Sequence, residues 1–339
     1  MRVVDLRSDT VTRPTPAMRT AMAMADVGDD VFGEDTTVNR LEGMAAELLG
    51  MDSALFVSSG TQGNLLALLT HCGRGDEYIA GSIAHCYRWE GGGAAVFGGI
   101  QPQPVDFEPD GTLDLARVES VIKPLDYHYA RTRLVCLENT QAGKPLPMGY
   151  LPKIISLVRS RGLALHMDGA RLFNAAVSRN VPAAVIVKGL DSVNVCLSKG
   201  LGAPAGSVLC GSRDFIREAR RWRKVAGGGM RQAGILAAAG LYALENHVER
   251  LAEDHDNAVR LAQGLSGIDG LQVDQRQVIT NMVFVRLDKG DPALLANNLK
   301  EHGIIIRGDK TVRLVTHLDI DRPGICRTIE AFKSFFAAL

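Results

Sequence analysis

Between about residue 50 and residue 215, short β-rich runs alternate with helical stretches. The runs are Ala54–Val57, Tyr78–Ala80, Arg133–Leu137, Leu163–Met167, Ser192–Cys196 and Ser207–Cys210. Several are apolar on both faces, the pattern of strands buried between two layers of helices. Such alternation predicts an α/β domain built on a mostly parallel sheet. Beyond Arg231 the pattern turns helical through about Leu265. Strand candidates Met282–Arg286, Gly303–Ile306 and Thr311–Val315 follow, and then a helix after Pro323. This second region predicts a smaller α+β domain that shares strands with an N-terminal arm. The expected division is an arm (1–20), a large domain (21–245) and a small C-terminal domain (246–339).

Charge and composition narrow the partners. The 339 residues include 38 Lys and Arg against 38 Asp and Glu, so the net charge is zero. No electrostatic footprint for nucleic acid or an anionic membrane is expected. Six cysteines form no CxxC pair, and Cys136, Cys196 and Cys210 fall in apolar strand-like runs. Buried free thiols in a reducing compartment fit that distribution. The first thirty residues interleave Arg2, Asp5, Arg7, Asp9 and Arg13, with no apolar core of signal-peptide length. The longest weakly polar run, Ala233 to Leu244, is too short to span a bilayer. A cytoplasmic protein is expected.

Three segments can carry chemistry. Ser58-Ser59-Gly60-Thr61-Gln62-Gly63-Asn64 follows the run Ala54–Val57 and precedes an apolar helix. Free N–H groups and a positive dipole end suit a phosphate there, although an ordinary helix cap would look the same. It has neither the GxGxxG nor the GxxxxGK[ST] spacing. The apolar run Leu163–Met167 ends on Asp168-Gly169-Ala170-Arg171. Ligands of open α/β sheets sit at such carboxyl ends, where an acid can hold a protonated ring nitrogen; a turn acid capping the next helix is the bland alternative. Ser192–Cys196 delivers Lys199, 31 residues after Asp168, into a glycine-rich stretch. A lysine amine taken out of water can serve as an imine-forming nucleophile, whereas most turn lysines are surface groups. Together, a phosphate cradle, a strand-end Asp and a strand-end Lys are the parts that hold pyridoxal phosphate.

The rest of the chain resembles one family of such enzymes. Asp5-Leu6-Arg7-Ser8-Asp9-Thr10-Val11-Thr12, Val27-Gly28-Asp29-Asp30-Val31-Phe32-Gly33-Glu34-Asp35 and Leu137-Glu138-Asn139-Thr140 look like threonine aldolase hallmarks. So do Leu197-Ser198-Lys199-Gly200, Gly227-Gly228-Gly229-Met230-Arg231-Gln232 and Arg313-Leu314-Val315-Thr316-His317. The motifs run in family order over nearly the whole chain. One departure is Gln141-Ala142-Gly143, where His-Asn-Gly is expected, in a loop that could border the substrate.

The resemblance implies a fold-type-I pyridoxal phosphate enzyme that reversibly cleaves L-threonine, L-allo-threonine and related β-hydroxy-α-amino acids to glycine and an aldehyde. It assigns Lys199 to the imine, Asp168 to the pyridine nitrogen, and Gly60, Thr61 and Ser198 to the phosphate. His85 would stack on the ring, while Ser8, Arg171 and Arg313 would surround the substrate carboxylate, with Arg171 also reaching the cofactor's phenolic oxygen. His85, His128 or a water held by one of them would take the β-hydroxyl proton. Lys224 and Arg231 would reach a partner's cofactor across a homodimer with shared active sites, itself paired into a tetramer. The remaining histidines show no metal-ligand spacing, so no catalytic metal is expected. An aminotransferase or β-eliminating lyase would share Lys199 and Asp168 but leave the Asp5–Thr12 run unexplained.

Overall fold

The computed structural model describes residues 3–339. The arm contributes β1 (Val4–Asp5). Seven strands then build the main sheet: β2 (Ser53–Val57), β3 (Asp76–Gly81), β4 (Gln101–Val105), β5 (Arg131–Glu138), β6 (Ala164–Asp168), β7 (Ser192–Cys196) and β8 (Ser207–Gly211). Their spatial order is β2-β8-β7-β6-β5-β3-β4. Only β8 runs against the rest, antiparallel to both β2 and β7. The sheet is therefore mostly parallel, and its carboxyl ends gather on one side.

Burial explains why these runs became strands. Every residue of β3, β7 and β8 is buried. Leu165, Met167, Val193 and Val195 are at most 1% exposed, and each such side chain contributes about 1.5–3 kcal/mol over an exposed one. The covering helices show matching stripes. Leu151–Ser160 buries Leu151, Ile154 and Val158, one face at helical spacing. Arg213–Val225 buries Ile216, Ala219 and Arg223 along its inner stripe. No helix among the described residues is long and apolar enough to cross a membrane.

A separate core lies beyond. The strands β9 (Leu271–Gln272), β10 (Met282–Leu287) and β12 (Thr311–Val315) form an antiparallel sheet in the order β12-β10-β9. In β10, Val283, Val285 and Leu287 are buried while Phe284 and Arg286 are exposed, the two-residue period of a sheet with one wet face. The remaining strand, β11 (Ile304–Ile305), pairs in parallel with β1 of the arm. Val4 and Leu6 of the arm enter this smaller core, whereas Met18 belongs to the larger one. The arm thus ties the two bodies together, as the sharing of strands predicts.

Two departures from the sequence reading have physical reasons. Gln101–Val105 is not among the expected strands, and its Pro102 and Pro104 lack N–H donors. It forms all the same, as the edge strand β4, pairing only with β3. The Gln141–Lys144 loop packs against the smaller body: the Thr280 hydroxyl donates to the Gly143 carbonyl at 2.6 Å, and a Cβ on Gly143 would meet Met282 at 2.9 Å. Within this loop Ala142 holds φ at 49°. That is the left-handed region, which costs an alanine roughly 1–2 kcal/mol and an asparagine less. Ala142→Asn is therefore expected to stabilise the protein by about 0.5–1 kcal/mol. Thermal unfolding of the two proteins under one condition checks this; an unchanged or lower midpoint refutes it.

Candidate active site

The carboxyl ends of β2, β3, β5, β6 and β7 bring the expected residues together. After β2, Ser59 caps the helix Gly60–His71, its hydroxyl accepting from the Gln62 amide at 3.1 Å. The amides of Gly60 and Thr61 find no acceptor among the described residues, so the first turn keeps open donors. Glycine is needed because the turn presses on β7. A Cβ on Gly60 would lie 2.6 Å from Cys196 Sγ, and one on Gly63 would collide with the Asn194 side chain. Ser207 Oγ, buried without a hydrogen-bond partner, lies 3.6 Å from that Gly60 position.

Asp168 ends β6 and is 4% exposed. Its Oδ1 accepts from the Ala170 amide at 3.0 Å and its Oδ2 from Asn64 Nδ2 at 2.8 Å. The other Asn64 Nδ2 hydrogen goes to Glu90 Oε1 at 2.8 Å. Asn64 Oδ1 accepts from Asn194 Nδ2 at 3.1 Å. One buried amide therefore bridges two carboxylates, and only one amide orientation satisfies all three contacts. Behind it, His166 Nε2 lies 3.3 Å from Asn64 Oδ1, and its Nδ1 lies 2.8 Å from Ser192 Oγ. Burial lowers His166 to about 3, so it is a neutral ring in this chain.

His85 opens a short helix after β3. Its amide donates to Glu138 Oε2 at 2.8 Å, and its Nδ1 stands 2.7 Å from Glu90 Oε1. Glu138 sits beside Asp168 in the sheet register. Burial first, and then the Asp168 carboxylate, push Glu138 well above the ordinary carboxylate range. The Lys199 carbonyl accepts from the Gly202 amide at 2.8 Å and the Thr12 hydroxyl at 3.0 Å, while its ammonium has no hydrogen bond or ion pair among the described residues. Ser198 precedes it, half-buried.

Arg171 is held by Asp9 in a bidentate pair, Nε at 2.7 Å and a terminal nitrogen at 2.5 Å. Asp9 also accepts from Asn281 Nδ2 of the smaller body at 3.2 Å. Burial would raise Asp9, but the Arg171 guanidinium outweighs it and holds the carboxyl at about 2. Arg313, on β12, has only a 3.4 Å contact to the Arg7 carbonyl. Burial first, and then the positive charges of Arg171 and Arg307, lower its pKa, with the Asp9 carboxylate opposing them. Ser8 caps the turn Asp9–Val11, accepting from the Thr10 amide at 3.2 Å.

Three expected residues are not gathered here within one chain. His128 lies in the loop before β5, exposed, with Nδ1 2.6 Å from Asp126 Oδ1 and its ring on Tyr127. β5 is eight residues long, so at about 3.3 Å per residue its ends stand roughly 23 Å apart, with His128 at the far one from Glu138. Lys224 is exposed at the end of its helix, and Arg231 pairs with Asp29 at 2.9 Å. The cationic run around Lys224 is not all solvated: Arg223 is 3% exposed, bonded to Asp30 at 2.6 Å and the Phe56 carbonyl at 2.8 Å. Asp9, Asn64 and Glu90 are the residues that sequence reasoning missed. Asp9 stood within a quoted motif, but nothing in its spacing pointed to Arg171.

The donors fit pyridoxal phosphate: open amides for the phosphate, a buried acid for the ring nitrogen and an unpaired lysine between them. The architecture is the fold-type-I fold. Residues 5–288 match the Beta-eliminating lyase family. The low specificity L-threonine aldolase of Escherichia coli K12 is 53% identical over 99% of this chain and 100% of its own. Low-specificity L-threonine aldolase 1 of Arabidopsis thaliana is 47% identical over 98% of this chain and 96% of its own. The threonine aldolase of Leishmania major superposes with a TM-score of 0.84 at 24% identity, covering 98% and 99% of the two chains. The chain belongs to the Beta-eliminating lyase family and, within it, to the low-specificity L-threonine aldolases.

The Asp9–Arg171 pair gives a pH signature. Asp9's folded pKa lies below its unfolded value, so its stabilisation is present above pH ~4 and is lost as pH falls towards about 2. Asp9→Asn strands a buried guanidinium and is expected to cost about 3–5 kcal/mol at pH 7. The penalty should shrink at pH 3, where the wild-type pair begins to protonate. Urea unfolding at the two pH values measures it; an equal penalty at both removes the pair as the cause.

Proposed function

We propose that the enzyme cleaves L-threonine and L-allo-threonine, and related L-β-hydroxy-α-amino acids, to glycine and an aldehyde, and runs the reverse addition. The observation that carries this reading is the pair of guanidiniums, Arg171 and Arg313, beside Lys199 and Asp168. Asp9 matches Arg171, while Arg313 has no carboxylate bonded to it among the described residues; that surplus positive charge suits an amino acid's carboxylate, which a planar guanidinium can grip at two points. The close curated relatives, named as low-specificity L-threonine aldolases, support the substrate class.

In this reading Lys199 would hold pyridoxal phosphate at its aldehyde end, Asp168 would face its ring nitrogen, and the Gly60–Thr61 turn with Ser198 would take its phosphate. The bound cofactor supplies an acceptor for the electron pair of the broken Cα–Cβ bond. Arg171 and Arg313, with Ser8, fix the carboxylate and so choose which bond at Cα lies along the reacting direction. His85, or a water on it, removes the β-hydroxyl proton; the same group returns it when the aldehyde adds. The small crevice lined by Arg171, Asn174, Lys199 and Leu201 excludes all but a few waters beside the lysine. Six unbridged thiols, five of them buried, support a cytoplasmic location.

The enzyme works, we infer, as a homodimer with shared active sites, paired into a tetramer. His128, Lys224 and Arg231 all lie outside the site of their own chain. Phe32 is 75% exposed, Trp89 63% and Val225, next to Lys224 in the chain, 61%. A second copy would bury these side chains and bring the missing groups to a neighbouring site.

Incubation with L-threonine or L-allo-threonine should release acetaldehyde, read by a coupled dehydrogenase, with D-threonine inert. The two L substrates should differ modestly, because one methyl group is worth roughly 1–3 kcal/mol. Turnover of an amino donor with a keto acid, without acetaldehyde, refutes the assignment. Lys199→Ala should abolish borohydride labelling, and Asp168→Ala should lower turnover more than tenfold while the protein stays folded by circular dichroism. Lys199→Ala and Arg231→Ala proteins, refolded together, should regain part of the activity. No recovery in verified heterodimers would return Arg231 to its own subunit.

A further inference from the structure

His85 leaves one question open. A ring nitrogen can take a proton at a chosen place only if the other nitrogen is held, because the two tautomers of a neutral imidazole are otherwise interchangeable. The structure provides such a hold. His85 Nδ1 stands 2.7 Å from Glu90 Oε1. The ring is 46% exposed, while the Glu90 side chain is 4% exposed. Glu90 itself cannot swing away, because Asn64 Nδ2 donates to the same oxygen at 2.8 Å. Asn64 in turn is pinned by Asp168 at 2.8 Å and by Asn194 at 3.1 Å. The glycine pair that follows, Gly91 and Gly92, has φ of 63° and 67°, a left-handed turn that directly follows Glu90.

We propose that Glu90 is the positioning residue for His85: it receives the Nδ1 hydrogen, leaves Nε2 as the ring's free acceptor, and sets the proton affinity of that nitrogen. The role of His85 rests on the aldolase reading above; the pairing does not. A carboxylate facing an imidazole favours the charged ring and makes the neutral ring a stronger base. The charges around His85 come from four elements. Glu90 lies on the loop after its own helix, Glu138 on β5, Asp168 on β6 and Lys199 after β7. The Glu90 hydrogen bond raises His85 most, and burial and Lys199 oppose it. Burial pushes Glu90 upward, while His85 and Asn64 hold it down. Asn64 therefore has two duties with one NH2 group. It keeps Asp168 aimed at the ring nitrogen and keeps Glu90 aimed at the base.

The test reads His85 directly and needs no turnover. Hydrogen–deuterium exchange at the Cε1 position of histidine, followed by mass spectrometry across pH, gives a midpoint for the His85 peptide in wild type and in Glu90→Gln. The glutamine keeps the shape and removes the charge, so the midpoint should fall by about one pH unit. Glu90→Asp, which restores a carboxylate, should recover part of that shift. In L-threonine cleavage, the acid limb of kcat should move to lower pH by a similar amount in Glu90→Gln, with KM little changed. An unchanged His85 midpoint overturns the proposal, whatever the rates do. If Glu90→Gln does not fold, wild type alone decides, because a midpoint at or below the ordinary value of about 6.5 also overturns it. Failure of the aldolase reading would show instead as absent acetaldehyde with the His85 shift intact.

Discussion

Three carboxylates share one buried end of the main sheet. Glu138 and Asp168 are neighbours in register, and Glu90 meets Asp168 through a single amide. Like charges this close repel, and burial makes each harder to ionise. What holds them is a set of donors that all point inwards: Asn64, the Ala170 amide and the His85 amide. Asn64 reaches them only because the helix Gly60–His71 lies against β7, and it can lie there only with glycine at 60 and 63. The phosphate turn and the acid cluster are therefore one construction. A side chain added at Gly63 would displace Asn194, and through it the amide that orients Asp168 and Glu90.

A second construction spans the two bodies. Asp9 comes from the arm, Arg171 from the larger body and Asn281 from the smaller, and they meet at one buried carboxylate. Arg313 arrives from β12 on the other side. A substrate carboxylate bound between Arg171 and Arg313 would thus be gripped by both bodies at once, with the arm fixing the angle of one guanidinium.

Legibility in the sequence followed locality. Ser192–Cys196 and Thr311–Val315 form strands with the predicted bounds, because each is a compact run rich in β-branched residues between clear breakers. Asp168 and Lys199 stood out because strand ends are visible as the limits of apolar runs. Asp9 and Asn64 did not, because their partners are remote: 162 residues separate Asp9 from Arg171, and 104 separate Asn64 from Asp168. Tertiary packing alone makes them neighbours: the arm crosses to Arg171, and the helix Gly60–His71 lies across β6 and β7. The buried pair of Arg223 and Asp30 was hidden for a related reason. Helical spacing alone does not say that Asp30 waits in the core for Arg223. Gly28, Asp30 and Asp35, unexplained by any chemistry, turn out to be structural: Asp35 caps the helix Thr36–Leu49 and accepts the Gly234 amide at 2.8 Å.

The prolines of β4 reach beyond the fold of one chain. Along a strand, alternate N–H groups point to opposite sides, so the donors that reach β3 come from Gln101, Gln103 and Val105. The outward positions belong to Pro102 and Pro104, which have nothing to donate. An edge in this state is a poor template for another extended chain. A concentrated, uncharged protein gains little protection from electrostatic repulsion, and here the net charge is zero. The dipeptide repeat Gln-Pro-Gln-Pro thus acts as a stop at the rim of the sheet, keeping it from growing by edge-to-edge aggregation.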